Sequence, residues 1–188
     1  MKSISCLFFL VLILAIWPRR ILTHDVGDNK SNVPDDVITE ACAKTPYKDL
    51  CISSIKDDDE SPRSSDLHDV ARIAVKIAWI NASDAQYEMK KMLNTTSVSS
   101  IQHCLMDCDA TYDDAVANLE ESASAFDSKG YGDIVAWVAA SMVDPQTCED
   151  YFKDIPGYTS PVTSMNNVVV QLCSNALALT KLVADGQN

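Results

Sequence analysis

Thiols are the residues that could do chemistry here. Cys42, Cys51, Cys104, Cys108, Cys148 and Cys173 lie in the body of the chain, and Cys6 sits in an apolar N-terminal run. An even set of six in an oxidising compartment points to disulfides, although spacing alone leaves about fifteen pairings open. Zinc is the competing reading, because Cys104 and Cys108 have ligand-like spacing, but no second close pair with histidine accompanies them. We therefore expect no metal. His24, His68 and His103 are scattered, and no G-x-S-x-G elbow, H-E-x-x-H pair or phosphate-cradling glycine loop occurs. The neighbouring carboxylates Asp113-Asp114 and Glu120-Glu121 diverge on a helix and read as solvated faces. A nucleophilic thiol would need an odd cysteine beside a histidine, and nothing establishes one. The expectation is a protein with no catalytic residues and no cofactor, not an enzyme.

Compartment and charge narrow the partners. Lys2 precedes an apolar run from Ile4 to Trp17 broken only by Ser5. That length suits a signal peptide better than a membrane span, with a short anchor as the alternative. Pro18, Arg19 and Arg20 follow, and no A-x-A site is visible, so residues 1–24 are assigned to the signal with an approximate boundary. No second long apolar run is read, so the processed chain is expected to be soluble and secreted, in the apoplast or the vacuole, and off the membrane. The chain has 15 basic and 27 acidic residues, a net charge of −12. Without Lys2, Arg19 and Arg20, 12 basic residues remain against 27 acidic and the charge is −15. Nucleic acid and anionic membrane are poor partners for such a surface. A basic protein would be attracted, or the charge serves solubility alone.

The elements follow from periodicity. In the stretch from Cys104 to Cys148, with Ile101 just before it, apolar residues at Ile101, Leu105, Cys108, Tyr112, Ala115, Leu119 and Phe126 mark one helix face. After a turn at Ser128-Lys129-Gly130, Ile134, Val138 and Met142 mark another, and one disulfide could close this hairpin. Gly130 is expected to stop the first of these helices, and Ser99 with Gln102 to form its capping box. Pro145 predicts a kink or end near Asp144. Upstream, residues 25–36 are read as loose, with Pro34-Asp35-Asp36 like a first helical turn. Two short helices follow, broken at Thr45-Pro46 and most simply pinned by Cys42 and Cys51. Lys56 to Ser65 is a hydrophilic linker.

Asp66 opens a long helix with the stripe Leu67, Val70, Ala71, Ala74, Ile77, Ala78, Ala82, Ala85, Met89 and Met92, with Trp79 off it. Ser160-Pro161 opens a last helix carrying Met165, Val169, Leu172, Ala176, Leu179 and Val183, ended by Gly186. The fold class is all-α: an up-down-up-down four-helix bundle preceded by an N-terminal helical hairpin. Of the three glycosylation sequons, Asn94 and Asn29 are the candidates; Asn81 lies too near the apolar stripe.

From about Val37 to the C-terminus the chain resembles the plant invertase and pectin methylesterase inhibitors. The resemblance rests on Cys42 with Cys51, on Cys108-x3-Tyr112-x2-Ala115-Val116, on Thr147-Cys148-x3-Phe152, and on the run Ser174-Asn175-Ala176-Leu177-Ala178-Leu179. It implies a disulfide-locked inhibitor domain over residues 37–186, with bridges Cys42–Cys51 and Cys108–Cys148. Cys173 falls where many members keep an unpaired cysteine. Cys104 departs from the pattern: it pairs with Cys173, stays free or competes with Cys108.

The implied function is blockade of the active-site cleft of a secreted carbohydrate-active enzyme, pectin methylesterase or acid invertase. Invertase inhibitors resemble one another in a Pro-Lys-Phe motif at the turn that here reads Lys129-Gly130-Tyr131-Gly132-Asp133, which tilts the reading slightly to pectin methylesterase. Ser128 to Tyr131 and Ser160 to Thr163 also resemble the branch containing plane-tree pollen allergens, described as invertase inhibitors though they lack that motif. Polar positions off the stripe, Thr111, Asp113, Asp114 and Asn118, and the turn residues Lys129, Tyr131 and Asp133 are the contact candidates. A distant alternative is an odorant-binding-like carrier of hydrophobic ligands, which are also acidic, helical and six-cysteine; there, however, the eight-residue cysteine spacing comes last, not first.

Overall fold

The computed structural model describes residues 35–58 and 66–186. The expected signal peptide, His24, Asn29 and most of the linker lie outside these residues. The described residues form helices and turns: α1 (Asp35–Cys42), α2 (Lys48–Asp57), α3 (Leu67–Thr95), α4 (Ser99–Ala125), α5 (Tyr131–Ser141), α6 (Val143–Lys153) and α7 (Thr163–Ala184). Helix already begins at Asp35, inside the segment read as loose, and α2 runs on through Lys56 and Asp57, which the sequence reading gave to the linker.

Four antiparallel rods make the bundle, the third being α5 and α6 end to end. α3 packs on α4 and α7, and α4 and α7 also flank the third rod, so α4 and α7 lie across a diagonal. The apolar stripes face one core. Tyr112, Phe126, Ile73, Met89, Ile101, Leu105, Leu119, Ile134 and Leu179 are among its largest fully buried side chains. The α1–α2 hairpin lies on the α3–α7 seam. It explains why Ile73 and Val75, off the predicted stripe, are buried as well. Trp79 is half-buried against the core.

α7 is, among the described residues, the one helix long and apolar enough to cross a membrane, with a mean hydropathy of 1.3. It is a second long apolar run, against the expectation of none. It carries Asn166, Asn175 and Thr180 on buried positions, as a core helix of a bundle does.

Four helix ends differ from expectation. Asp66 caps α3 as read, its carboxylate accepting from the Asp69 amide at 3.0 Å. Ser99, however, is the first residue of α4, and Val98 occupies the cap without a side-chain bond; Gln102 instead donates to the Thr96 carbonyl at 2.8 Å. Gly130 is not the left-handed residue after α4. Its φ is −73° and it caps α5, while Lys129 takes the left-handed position at φ 57°. The Gly130 amide reaches the Ala125 carbonyl at 3.2 Å and the Lys129 amide reaches Phe126 at 3.0 Å. This is the Schellman closure, moved one residue upstream of the glycine.

α7 starts at Thr163 with Val162 in the cap position; Ser160, two residues ahead, accepts from the Val162 amide at 3.3 Å and donates its hydroxyl to the Glu149 carboxylate at 3.1 Å. The break from Pro145 falls at Met142 and not at Asp144. A helical proline collides with the carbonyl four residues earlier, here Ser141, the last residue of α5, while Pro145 itself sits in the first turn of α6, where its missing N–H costs nothing. Gly186 ends α7 as expected, at φ 70°.

Candidate functional site

The disulfides are Cys42–Cys51, with Cα atoms 5.6 Å apart, and Cys108–Cys148, at 4.7 Å. Cys104 and Cys173 are free and buried. They sit on the diagonal pair α4 and α7, and Cys104 donates to the Tyr151 carbonyl at 3.0 Å. Burial and then Asp107 push the Cys104 thiol up; burial and then Asp144 push Cys173 up to about 12. Both are protonated, shielded thiols rather than nucleophiles.

The contact candidates divide into two groups. On α4, Thr111, Asp114 and Asn118 recur at helical spacing, with Asp114 exposed and the other two half-buried. Asp113 is exposed but turns the other way, accepting from Gln86 Nε2 on α3; Gln86 also reaches the Asp109 carbonyl at 3.2 Å. Thr111 spends its hydroxyl on the Cys108 carbonyl at 2.9 Å. The second group, Lys129, Tyr131 and Asp133, lies one bundle end away, roughly 20 Å from Asp114 at the rise of a helix. Lys129 and Asp133 are exposed. Tyr131 is half-buried and meets Phe126 at 6.2 Å and His68 at 6.1 Å between ring centres. Burial and then Asp66 raise its hydroxyl pKa. His68, unassigned by sequence, closes this aromatic floor 5.5 Å from Phe126.

Sequence reasoning did not foresee the polar core behind α4. Tyr112 donates to Asn166 Oδ1 at 2.7 Å, and Asn166 donates to Glu149 Oε1 at 2.7 Å. Ser160 and Thr163 hydroxyls also donate to Glu149, at 3.1 and 3.0 Å. One carboxylate thereby gathers the start of α7 onto α6. Burial and then Asp114 push the Asp144 carboxyl up from 3.8 to about 6. Burial also drives the Tyr112 hydroxyl well above its ordinary value. One signal was available: Asn166, Cys173 and Thr180 recur every seven residues on α7, which marks a second inward line beside the apolar one.

The Asn94 side chain is exposed, whereas Asn81 is half-buried and donates its Nδ2 to the Ile77 carbonyl at 2.8 Å. Asp66, His68 and Asp69 bring three ligand atoms within 4.8 Å of one another. These groups already serve one another, since Asp66 caps the Asp69 amide and Asp69 lies 3.5 Å from His68 and 3.8 Å from Arg72. Among the described residues the arrangement offers no positioned acid, base or nucleophile. It offers a stiff, acidic, disulfide-braced surface.

The comparisons agree with that character. Residues 36–179 match the family model described as plant invertase/pectin methylesterase inhibitor. A Platanus orientalis protein named "Putative invertase inhibitor" is 32% identical over 154 residues, covering 79% of this chain and 90% of the relative. The Actinidia deliciosa pectinesterase inhibitor is 23% identical over 147 residues, covering 78% and 79%. The crystal structure of a mutant form of an Arabidopsis pectin methylesterase inhibitor has the same fold, with a TM-score of 0.65 at 19% identity over 77% of this chain and 95% of that one. The chain belongs to the plant invertase/pectin methylesterase inhibitor family, a family of inhibitors and not of enzymes.

Proposed function

We propose that the chain is a secreted inhibitor that docks on the active-site cleft of a plant cell-wall carbohydrate-active enzyme, with pectin methylesterase ahead of acid invertase. The observation that carries the inhibitor reading is the family match over residues 36–179. The preference for the esterase rests on the turn Lys129-Gly130-Tyr131-Gly132-Asp133, which lacks the Pro-Lys-Phe of invertase inhibitors. The second reading, acid invertase, is favoured by the name of the plane-tree relative.

Inhibition by such a domain is steric. A helical surface braced by disulfides loses little conformational entropy on docking, and the net charge of −12 favours a basic cleft rim. Asp114 and Asn118 on α4, with Thr111 beside them, supply one contact group, and Lys129, Tyr131 and Asp133 the other. Asp113 contributes less, because Gln86 already engages it. Residues 37–186 form the inhibitor domain, released to the apoplast or vacuole after processing, with Asn94 and Asn29 as glycan acceptors.

Titration of the purified chain against a pectin methylesterase and an acid invertase, at acidic and neutral pH, tests this. Stoichiometric loss of esterase activity is the expected result. Inhibition of invertase alone reverses the order of targets. Inhibition of neither, together with uptake of an apolar fluorescent probe, would replace the inhibitor with a ligand carrier.

A further inference from the structure

The α3–α7 seam is covered over only part of its length. At the end where α1 and α2 lie, almost every residue of α3 from Leu67 to Ala78 is buried or half-buried. The hairpin is fastened there by the Asn175 amide, which takes the Tyr47 amide and carbonyl at 3.0 Å each, and by Asp58 at 3.6 Å from Lys76. Beyond Ile80 the cover stops. The same seam continues as an open groove of about 270 Å³, floored by Ala85, Met165, Val168 and Val169 and rimmed by Asp84 and Glu88. Val168 in its floor is 39% exposed, so the groove presents apolar surface to solvent between the two carboxylates.

We propose that this bare half of the seam is a second docking surface, for a protein segment that presents a lysine or arginine beside an apolar side chain. Charge complementarity selects the occupant. Asp84 is exposed and has no ion-pair partner among the described residues; Glu88 meets only the exposed Lys91, at 3.1 Å, a pair weak enough to exchange. A long basic side chain can lay its methylenes on Met165 and Val168 and place its cation between the two carboxylates, which stand one turn apart. A second copy of this chain would bring more negative charge to the same rim. Residues 24–33, HDVGDNKSNV, carry two aspartates against one lysine and fit it no better. The groove lies on α3 and α7, away from the α4 and turn residues assigned to the inhibited enzyme, so this surface stands or falls apart from that reading.

The test uses the whole folded chain, isotope-labelled, and three short peptides alternating leucine with lysine, serine with lysine, and leucine with glutamate. Amide shifts at Ala85, Val168 and Val169 should appear with the leucine–lysine peptide alone. Asp84→Asn with Glu88→Gln should weaken that binding about five- to tenfold, and Val168→Ser by a comparable factor. Equal binding of the serine–lysine peptide, or shifts spread over the acidic surface, would overturn the proposal. So would a double variant that melts earlier but binds unchanged, since the carboxylates would then serve only the N-terminus of α7.

Discussion

The N-terminal hairpin and the α4–α6 seam each carry one disulfide, yet they depend on it differently. α1 and α2 have eight and ten residues, short of the length at which isolated helices persist. Apart from Cys42–Cys51, the hairpin is held by Ile38 and Ile55 in the core, by the Asn175 clasp and by the Asp58–Lys76 pair. Along the α4–α6 seam the bridge is one tie among several: Cys104 reaches Tyr151, Tyr112 reaches Asn166 and through it Glu149, and a full apolar core lies beneath. A cross-link matters to the global fold through the loop it closes, and to local order through what else remains.

That contrast can be broken by removing each bridge. Cys108→Ser with Cys148→Ser opens a separation of 40 residues, and chain-entropy reasoning gives a loss of about 4 kcal/mol, read from denaturant unfolding. Cys42→Ser with Cys51→Ser opens a separation of 9 and should lose about 2.5–3 kcal/mol. The decisive reading is amide exchange: the second variant should lose protection in α1 and α2 while α3 to α7 keep theirs. Uniform loss would make hairpin and bundle one cooperative unit. Asn175→Ala should cost about 1 kcal/mol and weaken the same two helices, because it leaves the Tyr47 amide unpaired, while the Tyr47 carbonyl keeps the Cys51 amide at 2.9 Å.

The seam carries its own liability in Asp144. Its folded pKa, about 6, lies above its ordinary 3.8, so the fold favours the neutral acid. The associated stability is fully present below about pH 4 and is lost as pH rises through about 6. Asp144→Asn should therefore stabilise the protein by about 1–2 kcal/mol at pH 8, after allowance for partial solvent screening, and leave it unchanged at pH 4. A pH-independent gain would assign the effect to something other than the carboxyl. The smallest effect is expected at the bundle end. Lys129→Gly relieves a left-handed non-glycine residue and should gain up to about 1 kcal/mol in thermal unfolding.

The helices were legible in sequence because burial repeats along each one: every stripe position read on α4, from Ile101 to Phe126, is buried. Their ends were less so. Ser99-Gln102 and Ser160-Pro161 have capping chemistry, but Gln102 goes to Thr96, and Ser160, which does take the Val162 amide, stands outside the helix and also ties to Glu149. Gly130 looked like the left-handed residue, yet the chain turned one position earlier. The polar core was hidden because whether Tyr112 meets Asn166 depends on how two diagonal helices are rotated, which no single stripe records. In the candidate contact set, spacing alone could not tell that Asp113 turns to Gln86 while the charge of its neighbour Asp114 is felt by Asp144.

The break at Met142 has a mechanical meaning. Inward residues continue across it without losing step, from Ile134, Val138 and Ser141 to Pro145, Cys148 and Phe152. On one side Ser141 is fastened to the Ala115 carbonyl at 3.2 Å; on the other Cys148 is bonded to Cys108. Both anchor pairs are seven residues apart, so the unbroken α4 spans the gap as a splint spans a fracture. Any bending of the third rod is thereby confined to the one turn between two points held to α4, and neither end can swing without straining one of them.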